Sequence, residues 1–176
     1  TIQILREIVK LRHQLVTNRQ SFERQAHALL GLLFPEYEKT AIKNPFSVAS
    51  LAILKAYPTA KHLAEAKPKN IEKIVRHIQG NNFNIAEIKT LIATAQNSIY
   101  SGRAKEARGM NLNIILTHVE TLHQSIAQLD KRIDDILSPQ NSDDANSFPG
   151  ANLLSIPGVG PKTLAAILAV VGADGS

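Results

Sequence analysis

Apolar residues recur along most of the chain at alternating spacings of three and four, which is the period of a helix face and not of a strand. In the stretch "IQILREIVKLRHQLVTNRQSFERQAHALLGLLF", Ile4, Ile8, Leu11, Leu15, Asn18, Phe22, Gln25, Leu29 and Leu32 keep that spacing. They predict one long helix ending before Pro35, with a heptad seam that Asn18 and Gln25 interrupt. A second long helix is expected from about Met110 to Leu137. Its seam, Leu112, Ile115, Val119, Leu122, Ile126, Leu129, Ile133 and Ile136, has no polar break. Such a stripe is about 37 Å long at a helical rise of 1.5 Å per residue. It must face another long apolar stripe, and the first helix carries the only candidate. An antiparallel coiled-coil pair follows, with residues 35–109 packed at one end. The partner helix could belong to the same chain or to a second copy, since both bury the same surface.

Between the long helices the pattern predicts shorter ones. "FPEYEKTAIKNP" reads as a connector, Phe46 to Tyr57 as a short helix stopped by Pro58, and Ala60 to Ala66 as another before Pro68. Asn70 can cap a helix through Gln79, with Gly80 as its left-handed terminator. Asn84 is an N-cap, with Glu87 as capping-box partner and Phe83 to Ile88 as a hydrophobic staple. "SGRAKEARG" reads as a basic connector. "SPQNSDDANSFPG", residues 138–150, has linker composition, and the remaining residues read as short helix, turn and second helix. The expected organisation is a helical body over 1–137, a linker over 138–150 and the opening of a second module over 151–176. The fold class is all-α.

Composition narrows the classes. The 176 residues contain no cysteine and no Trp, so disulfides and thiolate metal sites are excluded. A reducing, cytoplasmic setting fits, and no apolar run reaches the length of a membrane span. The net charge of +5 is unevenly spread. Residues 1–110 hold 17 Lys/Arg against 8 Asp/Glu, and residues 111–176 hold 3 against 7. A basic first part suits contact with phosphates through charge attraction and counterion release, although the same excess could simply keep helix surfaces soluble. The sequence opens on Thr and stops at Ser176, and a fragment of a longer protein is expected from this.

The candidate chemistry lies in "LLSIPGVGPK". Leu153, Ile156, Pro157, Gly158, Val159, Gly160 and Ala165 or Ala166 match the helix-hairpin-helix pattern. Gly158 and Gly160 would take backbone angles costly to other residues and leave room for a phosphate. Val159 would pack inward, and Pro161 suits the first position of the following helix. Free N–H groups near Gly160, Lys162 and Thr163 would then form an anion site, to which Lys162 adds charge. Gly158, Val159, Gly160, Lys162 and Thr163 are therefore the candidate nucleic-acid contacts, reading backbone and not sequence. The competing reading is a purely structural turn between two helices. The candidate assembly residues are Ile115, Val119, Leu122, Ile126, Leu129 and Ile133.

Other groups carry less. The six histidines form no i, i+3 or i, i+4 pair, and no metal site is expected. Asp130, Asp134 and Asp135 alternate with Lys131 and Arg132 beside the seam, the look of a solvated flank. Tyr100 and Ser155 lack a visible base, so no catalytic residue is assigned.

Taken in order, Leu5, Arg6, Leu11, Arg12, Leu15, Val16 and Arg19, then Phe34–Pro35–Glu36, then Tyr57–Pro58–Thr59, then the Ile156–Gly160 turn give a pattern that resembles the middle of bacterial insertion-sequence transposases. These carry a RuvC-like DEDD nuclease domain and are related to Piv-type DNA invertases. The resemblance covers nearly the whole chain, and the order of elements is its more specific part. It implies an acidic, Mg-binding nuclease domain before this segment and a catalytic serine beyond it. It also implies a DNA partner, a structured guide RNA in some members, homo-oligomerisation through the coiled coil and a nucleoid location. No catalytic residue and no cofactor transfers onto this sequence. The alternative expectation is a standalone helix-hairpin-helix DNA-binding module with a coiled-coil dimeriser, and a third class is a purely structural interaction protein.

Overall fold

Leu, Ile and Ala are the commonest residues of the chain, and the described residues are mostly helical. A computed structural model describes residues 2–40, 42, 44–79, 83–137 and 156–171. Among these there are seven α-helices and no strand. They are α1 (Ile2–Leu33), α2 (Val48–Ala56), α3 (Ala60–Ala64), α4 (Pro68–Val75), α5 (Ile85–Gln96), α6 (Lys105–Leu137) and α7 (Pro161–Val171). The protein is all-α, and α1 packs on α6. Two compact units form, one from Thr1–Asn18 with Leu122–Ser176 and the other from Arg19–Thr121. The expected linker at 138–150 and the first helix of the hairpin, including Leu153, lie outside the described residues.

Local starts and stops follow side-chain chemistry. Ser47 and Thr59 cap α2 and α3 by accepting from the N–H groups of Ser50 and His62 at 3.3 and 3.1 Å. Asn84 and Glu87 form the expected capping box at α5, each accepting the other's N–H at 2.9 Å. The short helix α3 ends before Pro68, as expected, but Asn70 is not the cap of the next: Pro68 is the first residue of α4, where its missing N–H costs nothing. The helix ends at Val75, with Arg76 still in helical conformation.

In the Arg19–Thr121 unit, α2–α5 supply Leu51, Ile53, Leu63, Ile71, Val75, Ile88 and Leu91 to one core with Ala26, Leu30 and Leu33 of α1. Leu112, Leu116 and Val119 of α6 close it. Phe22 of α1 stacks on His118 of α6 at 4.9 Å. Tyr37 is fully buried and shares a 2.8 Å hydrogen bond with Ser50; burial pushes its phenol pKa up. The connector is tied down by Glu36, whose carboxylate accepts from the Ser98 hydroxyl and the Ile99 N–H.

Helix α6 begins at Lys105, five residues before the expected start, so the "basic connector" is partly its first turn. Gly109, the last residue of that stretch, lies within this helix. A Cβ there would stand 3.3 Å from the Thr59 side chain and 3.6 Å from Pro58, so the residue allows close approach.

The long-helix pairing needs one correction of register. In α1, Ile8, Leu15, Phe22 and Leu29 are half-buried as a seam requires, but Ile4, Leu11, Asn18, Gln25 and Leu32 face solvent. Their place is taken by Leu5, Arg12, Arg19, Ala26 and Leu33, one residue further on. Asn18 and Gln25 therefore do not interrupt the seam; Arg12 and Arg19 do. In α6 the predicted seam holds: Leu112, Val119, Ile126 and Ile133 are buried, and Ile115, Leu122, Leu129 and Ile136 half-buried. In each unit, the surface that α6 offers is met by α1 of the same chain.

Candidate nucleic-acid interface

The turn preceding α7 is built from the conformational needs of its residues. The Val159 N–H donates to the Ile156 carbonyl at 3.0 Å, with Pro157 and Gly158 as the central pair. Gly158 has φ +90°, the third-position geometry of a type II turn that suits glycine after proline. Gly160 is different: its φ lies outside the left-handed region and a Cβ there would meet nothing within 4 Å. Its carbonyl accepts the first bond of α7, from the Leu164 N–H at 2.9 Å. Gly160 is thus the N-cap and Pro161 the first helical residue. The N–H groups of Lys162 and Thr163 belong to the first helical turn, where no preceding helical carbonyl exists to accept them.

Helix α7 is anchored on α1 and α6. Leu164, Ala165 and Leu168 are buried with Leu5, Ile133 and Leu137, and Val159 packs half-buried against this cluster. Ala165, not the exposed Ala166, is the small residue that fits the core. The Arg6 Nε–H donates to the Ala169 carbonyl at 2.8 Å, placing a cation at the negative end of the helix.

At the other end of α7 lies an acidic residue whose local spacing reads as a solvated flank. Asp130 is not a solvated flank: its side chain is only 18% exposed and it accepts from both Arg12 and Lys162, the latter at 2.6 Å. Burial raises its pKa, but hydrogen bonds from Arg12 and Lys162, together with their charges, outweigh that and hold the carboxyl below its ordinary 3.8. The ammonium of Lys162, expected to be offered to a phosphate, is engaged with Asp130, although the side chain remains 52% exposed. Asp130 is distant in sequence from both partners, so no local spacing could have signalled the cluster. Asp134 and Asp135 are exposed, as expected.

The five hairpin candidates therefore fall together: Gly158, Gly160, Lys162 and Thr163 at the surface, with Val159 pinning the turn. The assembly candidates divide. Val119 and Ile133 are buried inside the chain's own cores and Ile126 is buried, while Ile115, Leu122 and Leu129 are half-buried. Among the described residues, no three His, Cys, Asp or Glu side chains gather to hold a metal. His27 lies on Glu38 and edge-on to Phe46, and His118 is stacked on Phe22. No helix among the described residues is long and apolar enough to cross a membrane.

Comparison with known proteins finds no matching family model, no matching curated protein and no matching solved structure.

Proposed function

We propose that this chain is the helical middle of an insertion-sequence transposase or recombinase, serving in DNA transposition to hold a nucleic-acid backbone and to join copies of the protein. The observation that carries the reading is the turn into α7. It combines a type II Pro157–Gly158 turn, an N-cap glycine open to solvent and first-turn N–H groups beside Lys162. A phosphodiester oxygen there would accept from backbone donors at the positive end of a helix dipole and meet the Lys162 ammonium. Asp130 then plays an ordering part, holding Lys162 at the turn until a phosphate competes for it.

The catalytic chemistry of such an enzyme, and the divalent metal it uses, belong in this reading to the nuclease domain and not to these residues. Assembly would draw on the apolar positions of α1 that remain at the surface, Ile4, Leu11 and Leu32, since the α6 seam is spent within the chain.

Lys162→Gln tests the hairpin, because it removes the charge without setting a carboxylate against Asp130. The expected result is weaker duplex binding and a salt slope reduced by about one phosphate contact. Unchanged affinity and slope would reduce the hairpin to a packing turn.

A further inference from the structure

We propose that the solvent face of α4, formed by Lys69, Lys73 and Arg76, is a docking surface for the phosphate backbone of nucleic acid, separate from the hairpin. The helix is divided sharply. Ile71 and Val75 are fully buried and Ile74 and Ile78 partly so, which fixes the inward side. At about 100° per residue, Lys69, Lys73 and Arg76 cluster opposite that side, within about 60° of one another. All three are exposed, and Arg76 continues the helical conformation one residue past Val75, so its side chain stays in register. Glu72 and His77 flank the cluster without dividing it. The three cations span about 10 Å along the axis, against one phosphate per 3.4 Å of each duplex strand.

Three observations separate this face from an ordinary solvated helix. First, some of the chain's other basic side chains are held in ion pairs, which leaves them less free for a phosphate. Arg12 and Lys162 meet Asp130, Arg19 meets Glu23, Lys55 meets Glu120 and Lys61 meets Glu65. No ion pair among the described residues involves Lys69, Lys73 or Arg76. Second, charge segregates by unit. Arg19–Thr121 holds fourteen Lys/Arg against eight Asp/Glu, a net +6, while the unit containing the hairpin holds six against seven, a net −1. The long-range attraction for a polyanion therefore comes from the unit that carries α4. Third, a basic amphipathic helix also suits an anionic membrane, but that mode inserts the apolar face. Here Ile71 and Val75 are committed to the core, leaving the charges alone at the surface.

The inference rests on the nucleic-acid reading above and adds to it a second contact, which the experiment must resolve from the hairpin. The wild-type chain, the triple variant Lys69→Gln/Lys73→Gln/Arg76→Gln and Lys162→Gln are titrated by fluorescence anisotropy against a duplex DNA and a single-stranded RNA over a range of salt. Circular dichroism confirms that helicity is kept, as expected for substitutions on a solvent face. The triple variant should lose affinity, with its log–log salt slope falling by about 2.7 on duplex and about 2 on single strands. A charge-keeping variant, Lys69→Arg/Lys73→Arg/Arg76→Lys, should restore both. An unchanged slope in the triple variant overturns the proposal; if Lys162→Gln then loses binding, the hairpin reading survives alone. Wild-type binding to phosphatidylserine vesicles but not to nucleic acid overturns it in favour of a membrane surface. No binding to either nucleic acid overturns both readings.

Discussion

Asp130 is where one carboxylate answers two cations from different helices, and its ionisation is tied to the folded state. Because its pKa is held below 3.8 in the fold, the unfolded chain binds the proton more readily. Its contribution to stability is complete above that ordinary value and is lost as pH falls through the lowered one. Glu36 is lowered too: burial raises it, but hydrogen bonds from Ser98 and Ile99 prevail, so it acts in the same direction. Thermal unfolding from pH 6 down to pH 2 should therefore show a smaller loss of Tm in Asp130→Asn than in the wild type. Identical profiles would show that the cluster contributes nothing. The same geometry changes what a charge reversal at position 162 means. Lys162→Glu would set two carboxylates together, so lost binding would mix with a weakened α7 anchor; the neutral Gln does not. At Gly158 the cost is conformational. With φ +90° and no atom within 4 Å of an added Cβ, Gly158→Ala should destabilise by about 1 kcal/mol through backbone strain alone, measured by denaturant unfolding.

Among the elements, α1 is where reading the sequence and folding it part company. The alternation of three and four gave its length and its antiparallel partner, and the uninterrupted α6 seam was placed correctly. The face of α1 was assigned one residue early, because Ile4, Leu11 and Leu32 look like core whereas Arg12 and Arg19 do not. An arginine can line a packed stripe when its stem lies along apolar surface and its head finds a carboxylate. Arg12 finds Asp130 and Arg19 finds Glu23. The first partner is more than a hundred residues away, beyond any local pattern. Adjacent substitutions decide the register. Leu5→Ala should cost about 2–5 kcal/mol and Ile4→Ala within about 0.5 kcal/mol, by chemical denaturation. Equal costs would contradict the assignment. On α6, Ile126→Asp places an unpaired carboxylate at a buried position and should lower Tm sharply. The start of α4 was misplaced in the same local way: Asn70 looks like a cap, whereas Pro68 is already the first helical residue. The Asn84–Glu87 box was legible because both its partners lie within four residues.

For the whole molecule, charge and packing divide the work. The unit with the hairpin is nearly neutral and invests its cations in holding α7, through Arg6 at one end and the Arg12–Asp130–Lys162 cluster at the other. The other unit carries the positive excess, and among the described residues no ion pair engages the outer face of α4. The turn before α7 was legible in the sequence because proline fixes its own φ and glycine tolerates a positive one, whereas the pairing of Lys162 with Asp130 was not, since it depends on how α6 meets α7. At this scale the proposed behaviour is electrostatic binding of nucleic-acid backbone. It is tested most directly by titrating the wild-type chain with a duplex DNA of arbitrary sequence at several salt concentrations. Saturable binding is expected, with a log affinity that falls linearly with log salt, a slope of about −3 or steeper, and little dependence on sequence. Absent binding at low salt, or an affinity indifferent to salt, would contradict it.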